Sequence, residues 1–184
     1  TEVCQPGSWK RSESDASAHD RARIDLKVLI PPTTRLVAHG IEGNISVPDH
    51  EGAVTAQTIE GNVSVATSGY AQARTVDGNL TVRMGQTDWT GKLDLTTKEG
   101  NLDVLLPQHA DVEVYATAEE GTARSDYALK QRHRADGMLL WGTLGEGGRR
   151  LTLRTTEGTI ALRASNPMAD GAAAEADRLQ GMLR

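Results

Sequence analysis

The chain contains no phenylalanine, and aromatic residues make up only 3% of it. A thick globular interior usually relies on large rings. Their scarcity points instead to thin, stacked strands lined by Val, Leu, Ile, Ala and Thr. No apolar run approaches the roughly 20 residues that a membrane-spanning helix needs. Lys and Arg number 20 against 25 Asp and Glu, a formal charge of −5. That balance supplies no global positive field for nucleic acid or anionic lipid. Cys4 is the only cysteine, which excludes an intrachain disulfide and leaves an inert thiol, an intermolecular bridge or a lipid attachment point. The preceding Thr-Glu-Val lacks the small residue usual before a lipidated cysteine. The chain starts at Thr1 rather than Met, which we read as removal of a signal peptide, an anchor or a tag.

What is abundant is one short phrase. "TIEGNVSV" at 58–65 returns as "TVDGNLTV" at 75–82, "TKEGNLDV" at 97–104 and "TTEGTIAL" at 155–162. Aligning the glycines Gly43, Gly61, Gly78, Gly100, Gly121 and Gly158 gives spacings of 18, 17, 22, 21 and 37 residues. Periods near 20 mark stacked repeats. On either side of each glycine, apolar and polar residues alternate. Val54 and Ala56 precede Gly61 and Val63 and Val65 follow it, with Thr55 and Ser64 between. Period-two alternation predicts strands with one buried face, so each repeat reads as strand, corner, strand. A second match, "VLIPPTTRLVA" (28–38) with "VLLPQHADVEV" (104–114), predicts that the repeating part begins near Ile24, with Pro31 and Pro107 each ending a strand.

Glycine supplies a corner's positive φ at little steric cost. The asparagines after it, Asn44, Asn62, Asn79 and Asn101, can bond to their own copies in neighbouring rungs. Three of them also stand in N-x-S/T sequons, which the repeat generates by itself. The acidic residues before the glycines, Glu42, Glu60, Asp77 and Glu99 and their later counterparts Glu120 and Glu157, would form a column about 4.8 Å apart. Charges at that spacing in water repel by about 1 kcal/mol. The column reads as a solvated negative edge, with a weak divalent-cation ladder as the functional alternative.

Gly-Asn is also a hairpin signal. A hairpin would set Glu60 opposite Val63 and mix charge into the core, whereas stacking keeps every column uniform. The expected fold is therefore all-β: a β-solenoid of about six to seven rungs, preferred to an antiparallel sandwich, with a short C-terminal α-helix. The divisions are a polar leader or linker over 1–21, the solenoid over 22–165 and a helical tail over 166–184, where Ala172, Ala176, Leu179 and Leu183 share a stripe. Between Gly121 and Gly158 the pattern breaks at Lys130, Arg132, His133 and Arg134, predicting a hairpin or loop, with strands returning at "MLLWGTL" and "RRLTLRT" around the turn "GEGG". The basic segment 130–134 is read as a solvated strand face, or as a site for an acidic glycan.

The recurring T-x-E-G-N corners, the "VLLP" strand end and the closing "GTLGEGGRRLTLRTTEGTIAL" resemble the bacterial putative-adhesin family of β-strand-repeat domains. The likeness spans roughly 22–165. It implies a secreted or membrane-tethered bacterial domain of β-helical fold without known catalytic residues, so no catalytic residue carries over. The histidines His19, His39, His50, His109 and His133 fall at unrelated repeat positions, no nucleophile motif appears, and the outward acids Asp94 and Asp103, which flank a corner, are thin ground for glycan cleavage. We therefore expect a non-enzymatic extracytoplasmic module, located at the cell surface, in the periplasm or secreted. It would act as an adhesin-like binder or scaffold, without cofactor, metal, nucleic acid or transmembrane segment. A filament-forming subunit is the alternative and a carbohydrate-active enzyme the remote one. The expected partners are a cell-surface partner, a glycan or a second copy. Self-association would use the leader, with Cys4 and Trp9 near the contact.

Overall fold

The computed structural model describes residues 24–165. The leader, with Cys4 and Trp9, and the expected C-terminal helix lie outside the described residues. Twelve strands follow: β1 (Leu36–His39), β2 (Ile45–His50), β3 (Val54–Gln57), β4 (Val63–Thr67), β5 (Ala71–Arg74), β6 (Leu80–Met84), β7 (Lys92–Thr96), β8 (Leu102–Pro107), β9 (Val112–Ser125), β10 (Lys130–His133), β11 (Met138–Leu144) and β12 (Arg150–Ser165). All pairings are parallel except those of β9 with β11 and β11 with β10. The described residues form an all-β solenoid.

Each rung places one strand in each of two walls. Wall one runs β1-β3-β5-β7 and then the first half of β12. Wall two runs β2-β4-β6-β8 and then the second half of β12. Strands β9 and β12 are long enough to pass through the corner and serve both walls, with Gly158 paired to Gly121. Like stacks on like: Val54 on Ala71, Val63 on Leu80 and Leu80 on Leu102. All five side chains are buried, and with Leu95, Leu151, Leu153, Ile160 and Leu162 they fill the space between the walls.

Two features depart from the sequence reading. First, the rungs do not stack in chain order. The 21-residue step from Gly100 to Gly121 predicts adjacent rungs, yet β12 lies between them, pairing with β7 and β8 on one side and β9 on the other. The chain skips a place, builds β9 and the β10–β11 hairpin, and then fills the gap. The residues from 122 to 149 supply the length for that return. They include the basic segment, whose Lys130–His133 forms the exposed outer strand of the hairpin.

Second, no strand forms at 24–30. "VLLP" at 104–107 is a strand because β12 pairs with it. Its counterpart at 28–31 precedes the first rung in the chain and pairs with no strand among the described residues. Ile24, Leu26, Val28 and Leu29 are all exposed there.

Candidate ligand-binding face

The corners come first because they fix how the outer faces are aligned. The Gly61 amide donates to Asp77 O at 2.8 Å and the Gly78 amide to Glu99 O at 2.8 Å. Asn44 Oδ1 accepts from the Asn62 amide at 2.8 Å and from Asn62 Nδ2 at 3.3 Å. Asn62 Oδ1 does the same for Asn79 at 2.9 and 3.1 Å. Asn79 Oδ1 accepts from the Asn101 amide at 2.9 Å, and Asn101 Oδ1 from the Thr159 amide at 3.0 Å. Threonine then replaces asparagine, and Thr159 meets Thr122 across 3.3 Å. The amide column therefore locks the spacing and register of successive rungs.

A second column escaped the sequence reading. Thr75, Thr97 and Thr155 are buried and donate their hydroxyls to the corner carbonyls of Gly61, Gly78 and Gly100 at 3.0, 2.9 and 3.1 Å. Thr58 reaches Gly43 O at 3.4 Å. The signal was present, since threonine stands three residues before Gly61, Gly78, Gly100 and Gly158. Its meaning required knowing that the carbonyl of the rung below lies within reach.

Glu42, Glu60, Asp77 and Glu99 pair as successive bridges, Glu99 then pairs with Glu157, and Glu157 with Glu120. All six are exposed. They form a line rather than a cage: among the described residues no three His, Cys, Asp or Glu side chains converge to hold a metal ion. The two outward acids do not act together either. Asp94 pairs with Lys92 at 3.0 Å on wall one, and Asp103 with Arg163 at 3.0 Å on wall two.

The outer face of wall one is different. Its registers bring Thr55, Gln72, Asp94, Thr152, Tyr115, Trp141 and Lys130 into one row across the strands. Beside it runs a row of Gln57, Arg74, Thr96, Arg154, Thr117, Leu139 and Arg132. Lys92, Arg150 and Glu113 flank the first row on its other side. Six cations thus face two carboxylates on a chain whose total charge is negative. Glu113 engages Arg150 at 3.7 Å. Arg74 and Arg154 have no ion pair or side-chain hydrogen bond among the described residues. They line a groove of about 350 Å³ together with Gln57, Gln72, Lys92, Asp94, Thr96 and Thr152. Tyr115 and Trp141 stand next to each other where the groove ends. Arg150 lies 5.0 Å from the Tyr115 ring centre and Arg132 lies 5.7 Å from that of Trp141, within cation–π range.

These features define a class: a parallel β-solenoid with laddered corners and a cation-rich outer face. The chain belongs to the Toastrack DUF4097 family, domains of unknown function, whose model matches residues 33–163. The curated proteins contain no match. Among solved structures the chain is similar to a putative cell adhesion protein from Clostridium sporogenes, at 10% identity and a TM-score of 0.45. That likeness covers 73% of this chain and 93% of the other. No helix among the described residues is long and apolar enough to cross a membrane.

Proposed function

We propose that this protein is a non-enzymatic, extracytoplasmic bacterial module that binds a surface partner through the outer face of wall one, with the solenoid as a rigid scaffold. The observation carrying the reading is the pair Arg74 and Arg154, unneutralised by any described side chain and held roughly 10 Å apart, two strand spacings, on a laddered sheet. The sheet fixes the spacing of the two backbone positions, so both guanidinium groups can meet anionic groups on one ligand. In the same proposal the polar segment 1–21 serves as a linker and 166–184 as an appended helix. The test is sedimentation of the full chain with isolated bacterial envelopes. The intact protein should pellet, and the double variant Arg74→Ala/Arg154→Ala should stay largely in solution. Equal pelleting of both, or of neither, contradicts the reading.

Self-association has its own observation. Six of the eight exposed large hydrophobic residues among those described, Ile24, Leu26, Val28, Leu29, Val37 and Ile41, precede or lie in the first rung, and a seventh, Ile59, stacks on Ile41 from the second. The other end of wall one is closed by β10, whose Lys130 and Arg132 are the kind of charged edge that resists further strand addition. Unlike ends of this kind favour a two-fold pair joined first rung to first rung over an open filament. Light scattering should give a dimer that Val37→Lys/Ile41→Lys converts to monomer. Filaments, or a dimer indifferent to those changes, exclude this arrangement.

A further inference from the structure

Resting on the binding-face reading above, we infer that the wall-one face takes an anionic polysaccharide, lying across the strands with its carboxylate or sulfate groups on Arg74 and Arg154. Three properties of the face point to this ligand class. The first is spacing. Strands repeat at about 4.8 Å, close to the length by which one pyranose ring advances a linear sugar chain. A polysaccharide crossing the strands therefore meets equivalent side chains once per sugar. Arg74 and Arg154 sit in one row with Thr96 between them, so charges on alternate sugars meet alternate strands.

The second is the mixture of hydrogen-bonding groups. Gln57, Gln72, Thr96 and Thr152 line the groove beside the cations. Their amides and hydroxyls both donate and accept, matching sugar hydroxyls, which do the same. A groove built for bare phosphate would need donors alone. Asp94, an acceptor, projects into the same groove and would repel a uniformly charged polyanion while accepting from a hydroxyl.

The third is the aromatic pair at the end of the groove. Tyr115 is 41% exposed although its strand neighbours Val114 and Ala116 are fully buried. With Trp141 beside it, and with Arg150 over the Tyr115 ring and Arg132 over that of Trp141, the pair offers the ring surface those guanidinium groups leave open to the C–H face of a sugar. Single-stranded nucleic acid also uses stacking platforms with cations, but here both rings sit together at one end and the groove along Arg74 and Arg154 is lined by no ring.

The experiment is calorimetric titration of the full chain with hyaluronate and kappa-carrageenan, which carry one carboxylate and one sulfate on alternate sugars, and with neutral dextran and linear polyphosphate. Either anionic polysaccharide should bind, neutral dextran at least tenfold more weakly and polyphosphate more weakly than the sugars. Arg74→Ala/Arg154→Ala should lose at least tenfold in affinity, and Tyr115→Ala a further several-fold. Lys98→Ala, a cation on the corner outside this face, should change little and controls for net charge. Binding of polyphosphate as tightly as of the sugars, or an Arg74→Ala/Arg154→Ala variant that binds like the intact protein, overturns the inference. If envelopes pellet the protein in an Arg74- and Arg154-dependent manner but neither anionic polysaccharide binds, the ligand class is wrong and the binding face stands. If pelleting does not depend on the two arginines, the face itself is wrong.

Discussion

At the scale of single residues, each position of the T-x-E-G-N corner has its own task. Gly61 and Gly43 separate two effects that usually come together. Both have positive φ, +128° and +120°, a region that side chains with a Cβ rarely enter. A Cβ at Gly61 would also overlap Gly43 O, whereas one at Gly43 would meet nothing within 4 Å, because no described rung lies below it. Gly43→Ala should therefore cost the backbone strain of about 1–3 kcal/mol, and Gly61→Ala clearly more. Equal losses in chemical denaturation would mean that rungs are not in close backbone contact. Thr75→Val keeps the shape but leaves Gly61 O without its 3.0 Å hydroxyl partner. It should cost about 1–3 kcal/mol, against within about 0.5 kcal/mol for the exposed Ser64→Ala. If the two substitutions melt alike, the threonine column has no structural role.

Among the elements, the segment between β9 and β10 carries a pH signature. Tyr127 donates its hydroxyl to Leu106 O at 3.0 Å and Pro107 O at 2.9 Å, tying the end of wall two to the chain leaving β9. Burial, and secondarily the Asp126 carboxylate, push its phenol up to about 12 from about 10 in the unfolded chain. The folded state then holds the proton more tightly, so this contribution is complete below pH 10 and is lost as pH rises from about 10 to about 12. Tyr127→Phe should be less stable at neutral pH and lack this part of the alkaline decline. An unchanged alkaline slope in the variant would assign the decline elsewhere. The strands themselves were legible because Val63, Leu80 and Leu102 recur in the same place after each corner, and a uniform column of apolar side chains has few other solutions. Strand order was not, because Gly121 and Gly158 satisfy the same local pattern and nothing in a corner says which neighbour it stacks on. Residues 24–30 misled for the opposite reason. Ile24, Leu26 and Val28 alternate like a strand, but a strand also needs a partner, and alternation does not report one.

For the whole molecule, charge is sorted by surface: an acidic line down the corners, and cations on the outside of wall one. The candidate face was only partly legible for the same reason as the strand order. The basic run at 130–134 stood out as a block, whereas Arg74 and Arg154, 80 residues apart in the chain, become neighbours in a row only because β12 inserts beside β7. Tyr115 joins them only because β9 lies beyond β12. The insertion of β12 is therefore the claim on which both fold and face depend, and disulfide trapping tests it most directly. In a Cys4→Ser background, cysteines replacing Asp94 and Thr152 should cross-link on mild oxidation, since these residues are register partners on adjacent strands. Cysteines replacing Asp94 and Tyr115 should not, because two strand spacings, roughly 9.6 Å, exceed the roughly 7 Å between Cα atoms that a disulfide can bridge. Efficient cross-linking of Asp94→Cys/Tyr115→Cys, with none in Asp94→Cys/Thr152→Cys, would place β9 directly on β7 and contradict the account.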